Sequence, residues 1–151
     1  MPIFGAIGDV ALQFLLDQAR TVEHGAGEFF FREDDPASSM FVLEAGRATV
    51  IKGWQGHDMV LHSLGPGDCF GEMALLDLFG RSASVQADED CRAIELGTAD
   101  LLRLFERDAE QFALIQMNIG REVCRRLRAT DELLFRARMG ETPAGLDTQF
   151  L

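Results

Sequence analysis

The sequence predicts an α+β fold: an antiparallel β-roll of the double-stranded β-helix or jelly-roll type, flanked by short helices and followed by a long C-terminal helix. Three observations lead to it. The middle of the chain holds short apolar runs of strand length. Turns that contain glycine separate most of these runs, as in small all-β rolls. From residue 109 to 138 apolar residues recur at helical spacing, with no proline and with Gly120 as the only glycine.

The N-terminal region predicts one short helix over residues 8–20, with Asp9 as its N-cap. Four apolar residues of this segment fall on a common helical face: Val10, Ala11, Phe14 and Leu15. Gly25 and Gly27 end the region.

The central region predicts a series of short strands. They cover residues 40–43, 48–52, 59–64, 69–70, 84–87 and 92–96. Turn-forming residues lie between them, for example Gly46 and the Gly65-Pro66-Gly67 triplet. Short strands at such close spacing indicate a roll or a sandwich.

The C-terminal region is helical. Thr98 is expected to cap a first helix, and Asp108 with Gln111 resembles a capping box for a second. The second helix, about 109–138, is roughly 45 Å long at 1.5 Å per residue. A helix of that length extends beyond what one small domain covers.

Two apolar seams run along this long helix. The first contains Phe112, Ile119, Val123 and Leu133, and the second contains Met117, Cys124, Leu127 and Leu134. One seam is expected to pack on the roll and the other on the same helix of a second copy. The sequence therefore favours a homodimer over a monomer.

Composition narrows the functional classes. The 151 residues, 47% hydrophobic and 26% charged, are typical of one globular domain. The net charge of −11 argues against a nucleic-acid-binding surface. The first nineteen residues contain no Lys or Arg, and no apolar run approaches the ~20 residues of a membrane span. We therefore expect a cytoplasmic protein without a membrane contact.

No residue pattern indicates an enzyme or a metal site. Cys69, Cys91 and Cys124 are widely spaced, without a C-x-x-C pair, and are expected to be small buried hydrophobes. No Ser/His/Asp grouping or paired-carboxylate motif is present.

The segment 71–83 contains the residues that the sequence predicts to bind a ligand. Gly71 and Glu72 open a short helical turn, whose backbone N–H groups can face an anion. Arg81 ends the following loop and can close on the same anion with a planar fork of donors. A carboxylate beside a phosphate site is useful where the ligand also offers a hydroxyl. A ribose phosphate meets both demands.

These residues resemble the phosphate-binding cassette of the cyclic nucleotide-binding domain family. The matching stretches are Phe70-Gly71-Glu72-Met73-Ala74-Leu75 and Arg81-Ser82-Ala83-Ser84-Val85. The resemblance implies that Glu72 holds the ribose 2′-hydroxyl and that Arg81 holds the cyclic phosphate. Ser82 and the backbone near Gly71 to Ala74, including Met73, would complete the cradle, with Ala83 following.

The resemblance continues through most of the chain. Residues 41–50 and 64–68 match two turns of the family, and residues 125–132 resemble the long dimer helix of its catabolite activator branch. In that branch a threonine and the serine after it reach the adenine. Thr130 matches the threonine, and Asp131 stands in place of the serine. His62 replaces another serine near the base.

Arg126 matches an arginine of the family that pairs near the cassette glutamate. The implied ligand site therefore joins the cassette to the long helix. The expected ligand is cAMP, with cGMP as the alternative, and no metal is expected.

The leading hypothesis is a stand-alone cyclic nucleotide sensor that signals through its C-terminal helix to an unknown protein partner. Residues 1–138 would form the domain, and residues 139–151 a flexible tail. Two alternatives stay open. One is a dimerisation or interaction module of the same fold that no longer binds nucleotide. The other is the input fragment of a transcription regulator without its DNA-binding domain.

Overall fold

The computed structural model describes residues 2–77 and 79–140. A 3-10 turn, Pro2–Phe4, precedes the first helix. The helices are α1 (Asp9–Gln18), α2 (Met73–Asp77), α3 (Thr98–Arg107) and α4 (Ala109–Arg138). The strands are β1 (Arg20–His24), β2 (Phe29–Phe31), β3 (Ser39–Ala45), β4 (Ala48–Trp54), β5 (His57–Leu64), β6 (Cys69–Phe70), β7 (Ser84–Ala87) and β8 (Cys91–Gly97).

The eight strands form two four-stranded sheets, and every pairing is antiparallel. One sheet has the order β1-β8-β3-β6, and the other has the order β2-β7-β4-β5. Strands distant in sequence are thus neighbours in each sheet, which is the topology of a roll rather than of a meander. The predicted β-roll with a long C-terminal helix is confirmed.

Two apolar clusters hold the fold together. One lies inside the roll and is built from strand residues of both sheets and from Ala83: Phe41, Leu43, Ala48, Val50, Leu64, Phe70, Ala83, Val85, Ala87, Cys91 and Ala93. Phe41 and Phe70 stack within it at a centroid distance of 5.2 Å. The other lies between the first sheet and the helices, and includes Leu15, Leu104 and Ile119. Burial of each large side chain contributes roughly 1.5–3 kcal/mol.

The first helix differs from its prediction at the N-terminus. Gly8 is the N-cap, and Asp9 is already the first helical residue. Ala11 and Leu15 are buried as expected, but Val10 is 75% exposed. Val10 lies one position before Ala11, which at about 100° per residue turns its side chain away from the sheet.

The sequence analysis missed β1 and β2. The predicted helix extended to residue 20, which is the first residue of β1. The residues of this strand, Arg20–His24, are mostly polar and give no strand pattern. It is an edge strand that pairs only with β8, so only part of it is covered. Strand β2, Phe29–Phe31, has no alternation to reveal it, and all three residues are half-buried.

The long helix has the predicted bounds. The Asp108 carboxylate accepts from the Gln111 backbone N–H at 3.2 Å, as an N-cap does. The reciprocal half of the expected capping box is different, because the Gln111 side-chain oxygen accepts from the Gly8 backbone N–H at 2.8 Å. Further along, the buried Asn118 amide donates to the carbonyls of Ile3 and Gly5. These contacts tie α4 to the N-terminal segment.

The two seams of α4 have different surroundings. In the first seam Ile119 is fully buried and Phe112 packs against the helical cluster, but Leu133 is exposed. All four residues of the second seam are exposed. In the single chain one face of α4 therefore packs on the roll, and the other is uncovered.

No helix in the described ranges combines the length and the apolar character that crossing a bilayer requires. The tail predicted over 139–151 lies outside the described residues from position 141 onward.

Candidate functional site

A cavity of about 520 Å³ lies between the roll and α4. Its volume falls within the range of small-molecule sites. Residues of β2, β4 to β7, the segment 71–83 and α4 line it: Phe31, Val50, Lys52, Leu61, His62, Phe70, Gly71, Glu72, Met73, Ala74, Gly80, Arg81, Ser82, Ala83, Val85, Val123, Arg126, Leu127 and Thr130. Most of these side chains are apolar, and the charged groups are few.

The structure brings the predicted site residues together in this cavity, with one exception. Gly71, Glu72, Met73, Ala74, Arg81, Ser82, Ala83, His62, Arg126 and Thr130 all line it. Asp131 is exposed on α4 and does not line the cavity. It follows Thr130 by one residue, and a step of about 100° around the helix turns it away from the roll.

Arg81 is a buried cation held by neutral groups. Its side chain lies in the roll, and the residue is 6% exposed. Nη1 donates to the Ser39 carbonyl at 2.8 Å and to the Gly71 carbonyl at 3.1 Å. The guanidinium also lies 4.0 Å above the centre of the Phe31 ring. Burial lowers the pKa of Arg81, and the negative charges of Glu95 and Asp35 partly oppose this.

Arg81 has no carboxylate partner within ion-pair distance in the described part of the chain. Its Nε is buried and has no hydrogen-bond partner there. A buried guanidinium without a counter-ion is unfavourable unless an anion joins it. This side of the cavity is therefore suited to an anionic group.

Glu72 is the opposite charge at the same cavity, and it is 2% exposed. Arg126 on α4 donates to Glu72 Oε1, and also to the Cys69 carbonyl. Glu72 Oε2 is buried without a partner among the residues that the structure describes. The carboxylate thus joins the cassette to the long helix and keeps one oxygen that can accept a hydrogen bond.

Gly71 makes this arrangement possible. Its φ of +77° lies in the left-handed region that favours glycine. A Cβ at this position would lie 2.6 Å from Arg81 Nη1. The glycine therefore provides both the backbone bend and the space for the arginine.

The predicted backbone cradle is only partly free. The Ala74 N–H points to the Gly71 carbonyl at 3.4 Å, and the Leu75 N–H donates to the Glu72 carbonyl at 3.0 Å. The first of these distances is long for an N–H···O bond, so the Ala74 N–H remains the more available donor.

Two polar side chains face the cavity on the side of α4. The Thr130 hydroxyl donates to the Arg126 carbonyl at 2.9 Å, and in this arrangement its lone pairs can accept from a ligand. His62 lies on β5 beside a bulge in the pairing with β4. Burial and the positive charge of Arg126 lower the pKa of His62, and Asp68 opposes this, so the imidazole is held toward its neutral form.

The sequence analysis missed several lining residues. Lys52 is one of them, although it lies two positions after Val50 along β4 and so shares its face. That alternation could have found it. Leu61 lines the cavity beside His62 because of the β5 bulge, and no sequence signal announces a bulge there.

The cysteines have two different environments. Cys69 and Cys91 are buried as predicted, and burial raises the pKa of Cys69 to about 12. Cys124 is exposed on α4, which corrects its prediction as a buried hydrophobe. Over the described residues, no group of three or more His, Cys, Asp or Glu side chains is placed to hold a metal ion.

Comparison with known proteins agrees with this geometry. The family model described as "Cyclic nucleotide-binding domain" matches residues 21–108. The "Cyclic AMP receptor protein" of Thermus thermophilus is 30% identical over 131 residues, which are 86% of this chain and 59% of that protein. A "cAMP-dependent protein kinase regulatory subunit" of Emericella nidulans is 32% identical over 104 residues, 69% of this chain and 25% of that protein.

Among solved structures, the "Thermus thermophilus Catabolite Activator Protein" superposes with a TM-score of 0.79 at 30% identity. The match covers 89% of this chain and 62% of that one. The chain thus spans less than two thirds of the length of these relatives. The family match extends from β1 to Asp108 and includes the whole cassette, so both sequence and geometry lead to one conclusion: the chain belongs to the cyclic nucleotide-binding domain family.

Proposed function

We propose that this chain binds a cyclic nucleotide, preferentially cAMP, in the cavity between the roll and α4. The observation that carries the proposal is the buried Arg81, which lines the cavity without an ion-pair partner in the described ranges. A cyclic phosphate supplies the missing negative charge through charge-assisted hydrogen bonds. The carboxylate of Glu72 accepts from the ribose hydroxyl with the oxygen that the protein leaves unpaired.

The apolar walls and Thr130 favour adenine as the base. Leu61, Val123 and Leu127 offer apolar surface on which a purine can lie. Since the Thr130 hydroxyl already donates to a carbonyl, it can accept from the amino group of adenine. The carbonyl that guanine presents instead is an acceptor, and the hydroxyl can donate to it only by giving up its bond to the Arg126 carbonyl. The named relatives that sense or depend on cAMP support the same preference.

An isothermal titration with cAMP, cGMP and 5′-AMP tests the proposal. We expect saturable binding of cAMP, weaker binding of cGMP and no binding of 5′-AMP at matched concentrations. A flat response to all three ligands, from folded protein freed of co-purified nucleotide, would refute the proposal. The chain would then be a dimerisation or interaction module that keeps the fold, an alternative favoured by the uncovered face of α4.

Glu72→Gln tests the ribose contact. The change keeps the size of the side chain but removes the charge, and we expect cAMP binding to weaken about tenfold because a hydrogen bond to a charged group is lost. With 2′-deoxy-cAMP, which lacks the hydroxyl, the same variant should lose little. Isothermal titration of both proteins with both ligands measures the difference. An equal loss for the two ligands would mean that Glu72 acts only through Arg126.

We further propose that the protein is a homodimer whose two copies meet along the exposed seam of α4. Met117, Cys124, Leu127 and Leu134 repeat at three- and seven-residue intervals, as the seam of a two-stranded coiled coil does. Leu127 also lines the cavity, so the same helix contacts the ligand and the second copy. Ligand binding can thereby shift how the two copies meet, in proportion to its differential affinity for the two arrangements.

Mild oxidation tests the dimer. At a seam position, Cys124 comes close to its copy, within reach of a disulfide, while Cys69 and Cys91 are buried. We expect a covalent dimer on a non-reducing gel, lost in Cys124→Ser, and a dimer mass by light scattering for both proteins. A monomer mass at concentrations used for ligand binding would contradict the proposal.

In this account residues 1–138 form the binding domain. The protein acts in the cytoplasm as a sensor without catalytic activity. A protein partner binds it according to the position of α4.

A further inference from the structure

Lys52 occupies a special place at the cavity. It is the only lysine of the chain, and it lies on β4 with its side chain lining the cavity together with Arg81 and Ser82. Nζ donates to the Ser82 carbonyl at 2.7 Å and to Glu33 Oε1 at 2.9 Å. An ammonium group has three donors, so one N–H is left after these two contacts.

The partner of Lys52 is itself anchored. Glu33 Oε2 accepts from the Gly53 backbone N–H at 3.1 Å, and the Glu33 backbone N–H donates to Ser84 Oγ at 2.8 Å. The Gly53 and Lys52 donors lower the pKa of Glu33, so the carboxylate stays charged near neutral pH. The Lys52 ammonium is thus fixed between the Ser82 carbonyl and a carboxylate that is itself anchored.

Backbone hydrogen bonds connect the loop that contains Glu33 to Arg81. The Asp34 N–H donates to the Arg81 carbonyl at 2.8 Å, and the Arg81 N–H donates to the Asp35 carbonyl at 2.9 Å. The loop after β2 is therefore hydrogen-bonded to the end of the cassette at Arg81. Lys52, on β4, binds the next residue of the cassette, Ser82.

We propose that Lys52 is a positioning residue of the anion site. It fixes the Ser82 carbonyl, and with it the backbone that presents Arg81, and it directs its remaining N–H and its positive charge toward the bound anion. The inference rests on the proposed function, because it assigns a role at the same cavity. It concerns a residue outside the cassette and adds a second cation to the phosphate end of the site.

Acylation of the amine gives a direct readout. With one lysine in the chain, Lys52 and the N-terminus are the only amines that an acylating reagent such as acetic anhydride can modify, and mass spectrometry distinguishes them from other acylated groups. We expect saturating cAMP to slow acetylation of Lys52 about tenfold, measured by mass spectrometry, with the N-terminal amine unaffected as an internal control. A purely structural lysine, tied to Glu33 but away from the ligand, would react at the same rate with and without cAMP.

Substitutions give the second readout. We expect Lys52→Met to weaken cAMP binding about tenfold, as expected for loss of hydrogen bonds to a charged group, and Lys52→Arg to restore it to within about threefold. The matched control is Arg92→Met, since the Arg92–Glu44 pair has nearly the same exposure, 52% and 28%, as the 50% and 25% of Lys52 and Glu33. Arg92 does not line the cavity, and its loss should leave binding unchanged.

The outcomes separate this inference from the proposed function. If the wild-type protein binds cAMP but Lys52 is not protected and Lys52→Met binds normally, the role of Lys52 is refuted while the proposed function stands. If Lys52→Met and Arg92→Met lose binding and thermal stability equally, Lys52 has only a structural role. If the wild-type protein binds no cyclic nucleotide, both proposals fail.

Discussion

Arg81→Ala is expected to weaken cAMP binding by roughly 100-fold or more. The guanidinium is a buried cation that lines the cavity, and in the proposed complex its truncation removes several charge-assisted hydrogen bonds at once. Lys52 does not replace it, because only one of its N–H groups is left after its bonds to Glu33 and to the Ser82 carbonyl. Arg126 does not replace it either, because it donates to Glu72 and to the Cys69 carbonyl. Isothermal titration of the variant with cAMP measures the effect.

The same change is also expected to affect the fold, because Arg81 contacts other groups of the protein. The carbonyls of Ser39 and Gly71 lose their donor, and Phe31 loses the group above its ring. We expect the free energy of unfolding to fall by about 1–3 kcal/mol, so binding must be measured where circular dichroism shows folded protein.

Arg81→Lys distinguishes the contribution of the positive charge to cAMP affinity from that of the planar guanidinium. Lysine keeps the positive charge but lacks the planar fork, so we expect an intermediate affinity. Arg92→Ala, at an exposed arginine outside the cavity, should bind as the wild type does. Folded Arg81→Ala protein with wild-type affinity would show that the ligand phosphate lies elsewhere.

Gly46→Ala is expected to have the largest effect on stability. Gly46 forms the turn between β3 and β4 with a φ of +92°, a conformation that L side chains rarely adopt. An added Cβ would lie 2.4 Å from the Asp90 carbonyl oxygen and 2.9 Å from the Cys91 Cα. Both atoms are backbone, so no side chain can move aside, and the turn has to separate from the start of β8.

We expect Gly46→Ala to lower the free energy of unfolding by about 3 kcal/mol or more, which corresponds to roughly 10 °C in the melting temperature. The matched control is Gly56→Ala, where φ is +79° but no atom lies within 4 Å of the added Cβ. The control has only the backbone strain, about 1 kcal/mol. Equal losses in urea unfolding of the two variants would show that the clash at Gly46 is relieved.

The positions of β3 to β8 and of the long helix followed from the sequence because local patterns carry them. A helix over 109–138 needs only a sustained apolar period, and Asp108 marks where it begins. Turns that contain glycine separate β3, β4, β5 and β6 from one another. By contrast, β1 and β2 are strands because of their neighbours, since polar Arg20–His24 pairs with β8 and Phe29–Phe31 pairs with β7. Such pairing partners are distant in the chain and leave no local signal.

The candidate site divides in the same way. The cassette from Gly71 to Ala83 is contiguous, so its motif predicts Glu72 and Arg81 from the sequence alone. Only the tertiary structure decided that Arg81 is buried on Ser39 and Phe31 rather than free in the cavity. Those contacts join segments about 40 residues or more apart, which no local motif records.

The sequence by itself thus determined the fold class, the cassette and the bounds of α4, because each depends on residues within one turn or one short loop of each other. The tertiary structure decided which face of α4 packs on the roll, that Asp131 lies outside the cavity, and that Lys52 and Leu61 line it. These features depend on how the sheets and α4 are arranged against one another. That arrangement is set by the burial of the whole core rather than by any single segment.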